Sequence, residues 1–302
     1  MNVKTIKPSK TDRIFMGFVY LFVALALILV LYPLIYVISA SISSPTAVNS
    51  GEMWLLPKDV TWEGYKTILG YDTIWQGYRN TIFYTALGTF INLAFTLPCA
   101  YAMGRPEFFG RNVFMKFLMV PMFIGGGLIP SYLLIKNLGM IDTVWAITIP
   151  GAVSVYNIAI TRTFFQSTIP REMEEAALID GCTDIQMFFK IILPLSMPII
   201  AVMGLFCGVG HWNSYFSALI YFTDKSMYPL QLVLREILVN SDMAKGGTEM
   251  SAAAAEVAYS KQQLAAVIKY GVMIVSTLPI IIVYPFLQRY FVKGVMVGSL
   301  KG

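Results

Sequence analysis

The sequence predicts an all-α membrane protein, a polytopic bundle of six transmembrane helices with a helix-turn-helix loop on its cytoplasmic side. Composition is the first reason. Of 302 residues 57% are hydrophobic and only 13% charged, with a mean hydropathy of +0.66. Soluble domains average about 45–50% apolar and about 25% charged, so this chain lacks the polar surface to coat a water-soluble globule. Length patterning is the second. A hydrocarbon core about 30 Å thick takes about 20 mostly apolar helical residues. Six segments are long enough, roughly 14–42, 80–103, 113–135, 143–165, 194–221 and 267–291. The third is the basic residues, whose clusters all fall on one side of such a bundle.

The first span comes after Lys4, Lys7, Lys10 and Arg13. A signal peptide starts the same way but has an apolar core of only about 7–15 residues, which this run exceeds. Arg105, Arg111 and Lys116 mark the loop between spans two and three, and Arg162, Arg171 and Lys190 the loop between four and five. Arg289, Lys293 and Lys301 lie beyond the sixth span, whereas the loop between spans three and four carries only Lys136. With both termini in the cytoplasm, every basic cluster lies inside. The net charge of +5 belongs to these loops rather than to a nucleic-acid surface. The plan is a cytoplasmic segment 1–13, a membrane domain 14–292 and a cytoplasmic tail 293–302, with long external loops at 43–79 and 222–266. The first loop carries Trp54, Trp62 and Trp75, and the second a helix-prone run from Ser251 to Gln263. Loops of this length tend to be functional or disordered. These two suit either a cap over the bundle or a docking surface outside the cell.

Several spans carry breakers. Gly125-Gly126-Gly127, between Pro121 and Pro130, interrupts the third, and Pro98, Pro150, Pro279 and Pro285 break others. Such backbone survives at membrane depth where it is buried in protein or lines a wet cavity. Gly204-x-x-x-Gly208 lets two helices approach closely. The pattern fits either rocking elements or static kinks.

Residues 168–198 are the polar exception between two apolar spans. Pro170 suits a first helical turn, and Glu172, Glu174 and Glu175 sit near the positive end of a helix running to Asp180. Gly181 can end that helix in the left-handed conformation. Thr183 with Gln186 reads as a capping box opening a second helix. In it Ile185, Phe188, Phe189 and Ile192 share one face, and in the first helix Ala176 and Ala177 offer a smooth surface for close approach. An ordered pair like this on the cytoplasmic side offers a handle to a soluble partner.

The run Glu175-Ala176-Ala177-x-x-Asp180-Gly181, with Leu193-Pro194 and Pro198 further on, resembles the coupling loop of ABC-importer permeases. Cys182 stands where that family usually has alanine, a small-for-small change. The C-terminal run Gln288 to Gly294, with Gly298 and Lys301-Gly302, and Trp212-Asn213 in the fifth span, are similar to the maltose-transporter type. The segment after Tyr228-Pro229-Leu230 looks most like permeases for complex or uronic-acid-containing oligosaccharides. The resemblance implies that the loop docks into an ATP-binding subunit and carries its closure to the membrane helices. It implies four kinds of partner: a second permease, ABC ATPase subunits, an extracytoplasmic solute-binding protein and the oligosaccharide cargo. ATP and Mg2+ would then sit on the ATPase, and this chain would be no enzyme.

The chain's own chemistry is sparse. It has no Gly-x-x-x-x-Gly-Lys-Ser/Thr loop, no Gly-x-Ser-x-Gly and no His-Glu-x-x-His. Its one histidine, His211, reads as a helix-contact residue, and Cys99, Cys182 and Cys207 lack metal-ligand or paired spacing. No metal site and no catalytic residue are expected. A sugar path needs aromatic faces beside amides and hydroxyls, which points to Trp212, Asn213 and Tyr215 on the fifth span, with Asn92, Thr96, Tyr156 and Asn157 as further polar points. Contacts to a companion subunit would use the same residues. The competing function, an ion-coupled transporter or channel, would want acids inside the spans, and here they gather in loops. The expected location is the cell membrane, in multiple passes.

Overall fold

The computed structural model describes residues 9–243, 267–285 and 288, which are helical or irregular with no strand among them. The chain divides into two units, one of residues 1–70 and 237–275, the other of residues 71–236 and 276–302.

In the first unit, α1 (Lys10–Ser41) opens with the Ser9 N–H donating to Asp12 at 2.9 Å. Its apolar side chains are exposed all round, as a lipid-facing helix requires, until Ser39, Ala40 and Ser41 become buried. There the chain turns back on itself. Ser39 donates to the Leu55 carbonyl at 2.7 Å, the Tyr65 hydroxyl to Ser41 at 2.9 Å, and the Thr61 N–H to the Ile42 carbonyl at 2.9 Å. Two short helices, α2 (Pro45–Asn49) and α3 (Glu63–Leu69), lie in this stretch. Ala40, Ala47 and Met53 form its core, with Tyr36 edge-on to Tyr270. Most of the segment 43–79, expected as an external loop, is therefore folded, although Trp54 and Trp62 stay exposed.

The second unit is organised on α4 (Asp72–Gly104), whose Ile74, Gly77, Thr81, Tyr84, Gly88, Asn92 and Thr96 are buried. Their spacing of three and four residues is one helical face. After it come α5 (Arg111–Phe123), α6 (Leu128–Asn137), α7 (Trp145–Thr148), α8 (Val155–Thr168) and α9 (Arg171–Ile179). A continuous helical run, α10 (Asp184–Leu195), precedes α11 (Met197–Trp212), α12 (Phe216–Tyr221), α13 (Leu230–Met243) and α14 (Val267–Pro285), the last two each divided between the units at 236/237 and 275/276. Small residues line the contact of α11 with α4. A Cβ on Gly208 would lie 3.6 Å from the Thr89 hydroxyl, and one on Gly204 3.8 Å from Leu93, both ordinary van der Waals distances. The Gly-x-x-x-Gly pair thus lies on this contact without the closer approach its spacing allows.

Six uninterrupted spans are not what the described residues form. Only α1, α4 and α14 are long and apolar enough to cross alone, and two bent pairs raise the possible number to five. The α5–α6 pair bends by 111° at the triple glycine, where Gly127 takes φ +81°. The α10–α11 pair bends by 80° at Ser196, between Pro194 and Pro198. The segment expected as span four is two helices parted at Ile149–Ser154, where Pro150-Gly151 cannot continue a helix. Span five breaks again after Trp212, and Ser251–Gln263 and the tail 293–302 lie outside the described residues.

Candidate coupling surface and polar path

The helix pair at 168–198 forms as its sequence suggests, with Pro170 as N-cap rather than first-turn residue and Asp180 as C-cap. Gly181 takes φ +77°. Its N–H donates to the Leu178 carbonyl at 3.0 Å, and the Cys182 N–H to the Ala177 carbonyl at 2.9 Å, the paired bonds of a Schellman turn. Thr183 and Gln186 then close a reciprocal capping box at 3.3 Å each way.

Burial sorts the candidate residues. Glu175, Ala176, Asp180, Gly181 and Pro194 are exposed and Leu193 is half-buried. Ala177 is buried, so the smooth outer surface expected of both alanines is that of Ala176 alone; Ala177 packs into a core with Ile158, Phe165, Met187, Phe188 and Ile192. The apolar face of the second helix also divides. Residues Phe188–Ile192 form a π-helical turn, whose wider winding shifts the phase of the face. Phe188 and Ile192 point inward, whereas Ile185 and Phe189 are 72% and 62% exposed. With Pro98, Tyr101 and Phe108 these two line an open, largely apolar cleft of about 560 Å3. At the end of α9, Ile179 is 87% exposed.

Arg105, which by sequence marks only the orientation of the bundle, ties this pair to α4. As the C-cap of α4 it is paired at 2.6 Å with Asp184, at 3.4 Å with Glu107 and at 3.9 Å with Glu174. Its guanidinium also lies 5.6 Å from the ring centre of Tyr101. Burial pushes the Glu174 carboxyl above its ordinary range, against the pull of Arg105. One cation thereby holds the first turns of both α9 and α10 against the end of the longest helix in the unit. Sequence alone does not reveal this, because Arg105 and Asp184 lie 79 positions apart.

The polar residues of the membrane interior mostly satisfy one another. His211 Nε2 lies 2.8 Å from Asn92 Oδ1, and the Asn92 amide donates to the Gly151 and Ala152 carbonyls at 2.6 and 2.9 Å. A Cβ on Gly88 would sit 2.4 Å from His211 Nε2, so a glycine is needed there. Asn157 reaches the Cys207 sulfur at 3.6 Å, Thr96 is buried and Tyr156 is exposed. Trp212 is buried and donates to the Ser276 carbonyl at 2.9 Å. Asn213 and Tyr215 stand in the open break between α11 and α12; Asn213 donates to the Val209 carbonyl at 3.0 Å. The guanidinium of Arg235 lies 5.7 Å from the ring centre of Tyr215.

Known proteins share this architecture. The family model described as "Binding-protein-dependent transport system inner membrane component" matches residues 73–297. Protein LplC of Bacillus subtilis strain 168 is 37% identical over 100% of this chain and 99% of its own. The polygalacturonan/rhamnogalacturonan transport system permease protein YtcP of the same strain is 37% identical over 98% of this chain and 100% of its own. Among solved structures, a chain of a bacterial ABC transporter involved in the import of the acidic polysaccharide alginate matches with a TM-score of 0.83 and 34% identity, over 95% of this chain and 100% of that one. These relatives support the importer over the ion-coupled alternative. The chain belongs to the family of binding-protein-dependent transport system inner membrane components, as a multi-pass permease.

Proposed function

We propose that this chain is one of two permease subunits in an ATP-driven importer of oligosaccharides. The observation that carries the proposal is the exposed helix pair α9–α10, closed by a Schellman turn and tied through Arg105 to α4. In this reading Glu175, Ala176, Asp180, Gly181 and Pro194 face the ATP-binding subunit, while Ala177 and Leu193 seat the loop on the membrane helices. Closure of the ATPase pair, which alone holds ATP and Mg2+, is transmitted through α10 and Arg105. Both termini lie in the cytoplasm, in keeping with the basic clusters. An extracytoplasmic binding protein delivers the sugar from the other side. Trp212, Asn213 and Tyr215 belong to the substrate path, Trp212 as a buried anchor and the other two at its open break. Relatives whose names specify polygalacturonan and an acidic polysaccharide support an oligosaccharide cargo.

Affinity purification of the tagged chain from its native membrane in mild detergent, with mass spectrometry of the co-purifying proteins, tests the proposal. A second permease and an ATPase subunit are expected, the ATPase alone being lost when Glu175 or Gly181 is altered. A chain that purifies only with itself would overturn the proposal.

A further inference from the structure

Tyr215 and Arg235 are both exposed, one at the break between α11 and α12 and the other on α13. Tyr215 interrupts an apolar span, where irregular backbone is tolerated only against protein or a wet cavity. Arg235 meets no carboxylate among the described residues; its sequence neighbour Glu236 is paired with Lys225 at 3.3 Å. Arg235 lies on a helix outside the candidate membrane spans, where its exposed guanidinium is open to an anionic ligand. It is also rigidly supported. The Leu230 N–H donates to the Thr81 hydroxyl at 2.8 Å, and Asn80 donates to the Ser226 and Tyr228 carbonyls at 2.8 and 3.1 Å. Gly77 lets the backbones of α4 and α13 meet, since a Cβ there would lie 3.0 Å from Leu230 Cα. Leu230, Leu232, Val233 and Leu234 are buried, which leaves Arg235 turned outward from a fixed helix. A side chain on such an element is positioned before its ligand arrives.

We propose that Arg235 and Tyr215 form a subsite for an acidic sugar, the guanidinium pairing with a uronate carboxylate and the phenol ring stacking on the pyranose. This rests on the oligosaccharide-importer reading and deepens it by naming the class of sugar. Arginine presents parallel N–H groups that match a carboxylate in two bonds, and a guanidinium already laid over an aromatic ring is half-oriented for them. A neutral sugar would stack on Tyr215 but leave the charge unanswered.

The test uses the complete transporter with its binding protein in proteoliposomes, supplied with a short oligogalacturonate or a neutral galacto-oligosaccharide. The wild type is expected to import the acidic sugar. Arg235→Gln should cut that uptake about tenfold, the loss of one charge-assisted pair, while assembly and binding-protein-stimulated ATP hydrolysis stay within about twofold. Arg235→Lys should keep more uptake than Arg235→Gln, and Tyr215→Ala, which removes the ring, should lower uptake of the acidic sugar as well. Three results overturn the subsite: Arg235→Gln importing the acidic sugar as the wild type does, a variant complex that fails to assemble, or a wild type that imports only the neutral sugar. Uptake of no oligosaccharide by the wild type would instead remove the importer reading, and the subsite with it.

Discussion

The helix pair α9–α10 and the polar contacts between α4 and α11 are built from the same kinds of residue to opposite ends. In the membrane interior Asn92, His211 and the Gly151 and Ala152 carbonyls answer one another, and Trp212 is bonded to Ser276. Only the buried Thr85 and Thr89 hydroxyls on that face of α4 go without a partner among the described residues. In the helix pair the turn at Gly181 is tied off by its own backbone, yet Ile179, Ile185 and Phe189 stand in the open. His211, which by sequence reads as a helix contact, is one. The apolar side chains left in the open lie instead on α9 and α10.

The comparison is broken or sharpened first at Gly181. Gly181→Asp should lower sugar uptake more than tenfold while the two permeases stay together, because a bulky charge enters the proposed ATPase contact; the left-handed backbone adds only about 1 kcal/mol to folding. Uptake at the wild-type level would remove the contact. Ile179→Asp should strip the ATPase from the purified complex and spare the second permease, and retained ATPase would show that this exposed end touches nothing. Arg105→Gln should reduce uptake several-fold with ATP hydrolysis preserved, a split expected of a linkage between elements and read by assaying both on one preparation. In the interior the reverse holds. Gly88→Ala should cost about 1–3 kcal/mol of stability through overpacking against His211, seen as earlier thermal aggregation in detergent; an unchanged transition would mean the α4–α11 contact yields freely.

The smallest effect is at Asp142, which accepts from the Thr223 and Asp224 N–H groups at 2.6 and 3.1 Å and from the Thr223 hydroxyl. The bonds from Thr223 lead in holding its carboxyl below the ordinary value of 3.8. A depressed acid contributes stability that is fully present above the unfolded pKa and disappears as pH falls through the folded one. Acid melting of the wild type should therefore show a loss beginning below about pH 4 that Asp142→Asn lacks. Asparagine tolerates the positive φ of 55° at this position, so the comparison isolates the charge.

Much of the helix pair is legible in the sequence because it is local. The Gly181 turn, the Thr183–Gln186 box and the Gly125–Gly127 break each depend on residues within a few positions. The span count is less legible, since hydropathy records length of apolar chain and not whether Pro150-Gly151 or Ser196 interrupts it. The split of the second helix's apolar face is hidden by a π turn that has no composition of its own, and the inward turn of Ala177 depends on a core drawn from other helices. Arg105 needs the fold, because its partners come from two other helices.

The length of α1 has a consequence of its own. Its apolar stretch from Ile14 to Ile38 is exposed apart from the half-buried Val19, Tyr36 and Val37, and at 1.5 Å per residue it spans about 38 Å, more than a hydrocarbon core of about 30 Å. An unbroken helix in this position must lean, bend at its interior Pro33, or thicken the lipid around it. The pairs α5–α6 and α10–α11 are already bent at a break in the helix, whereas α1 has only its tilt and that proline. Acyl-chain length in a reconstituted membrane is therefore a variable that acts on this chain chiefly through its first helix.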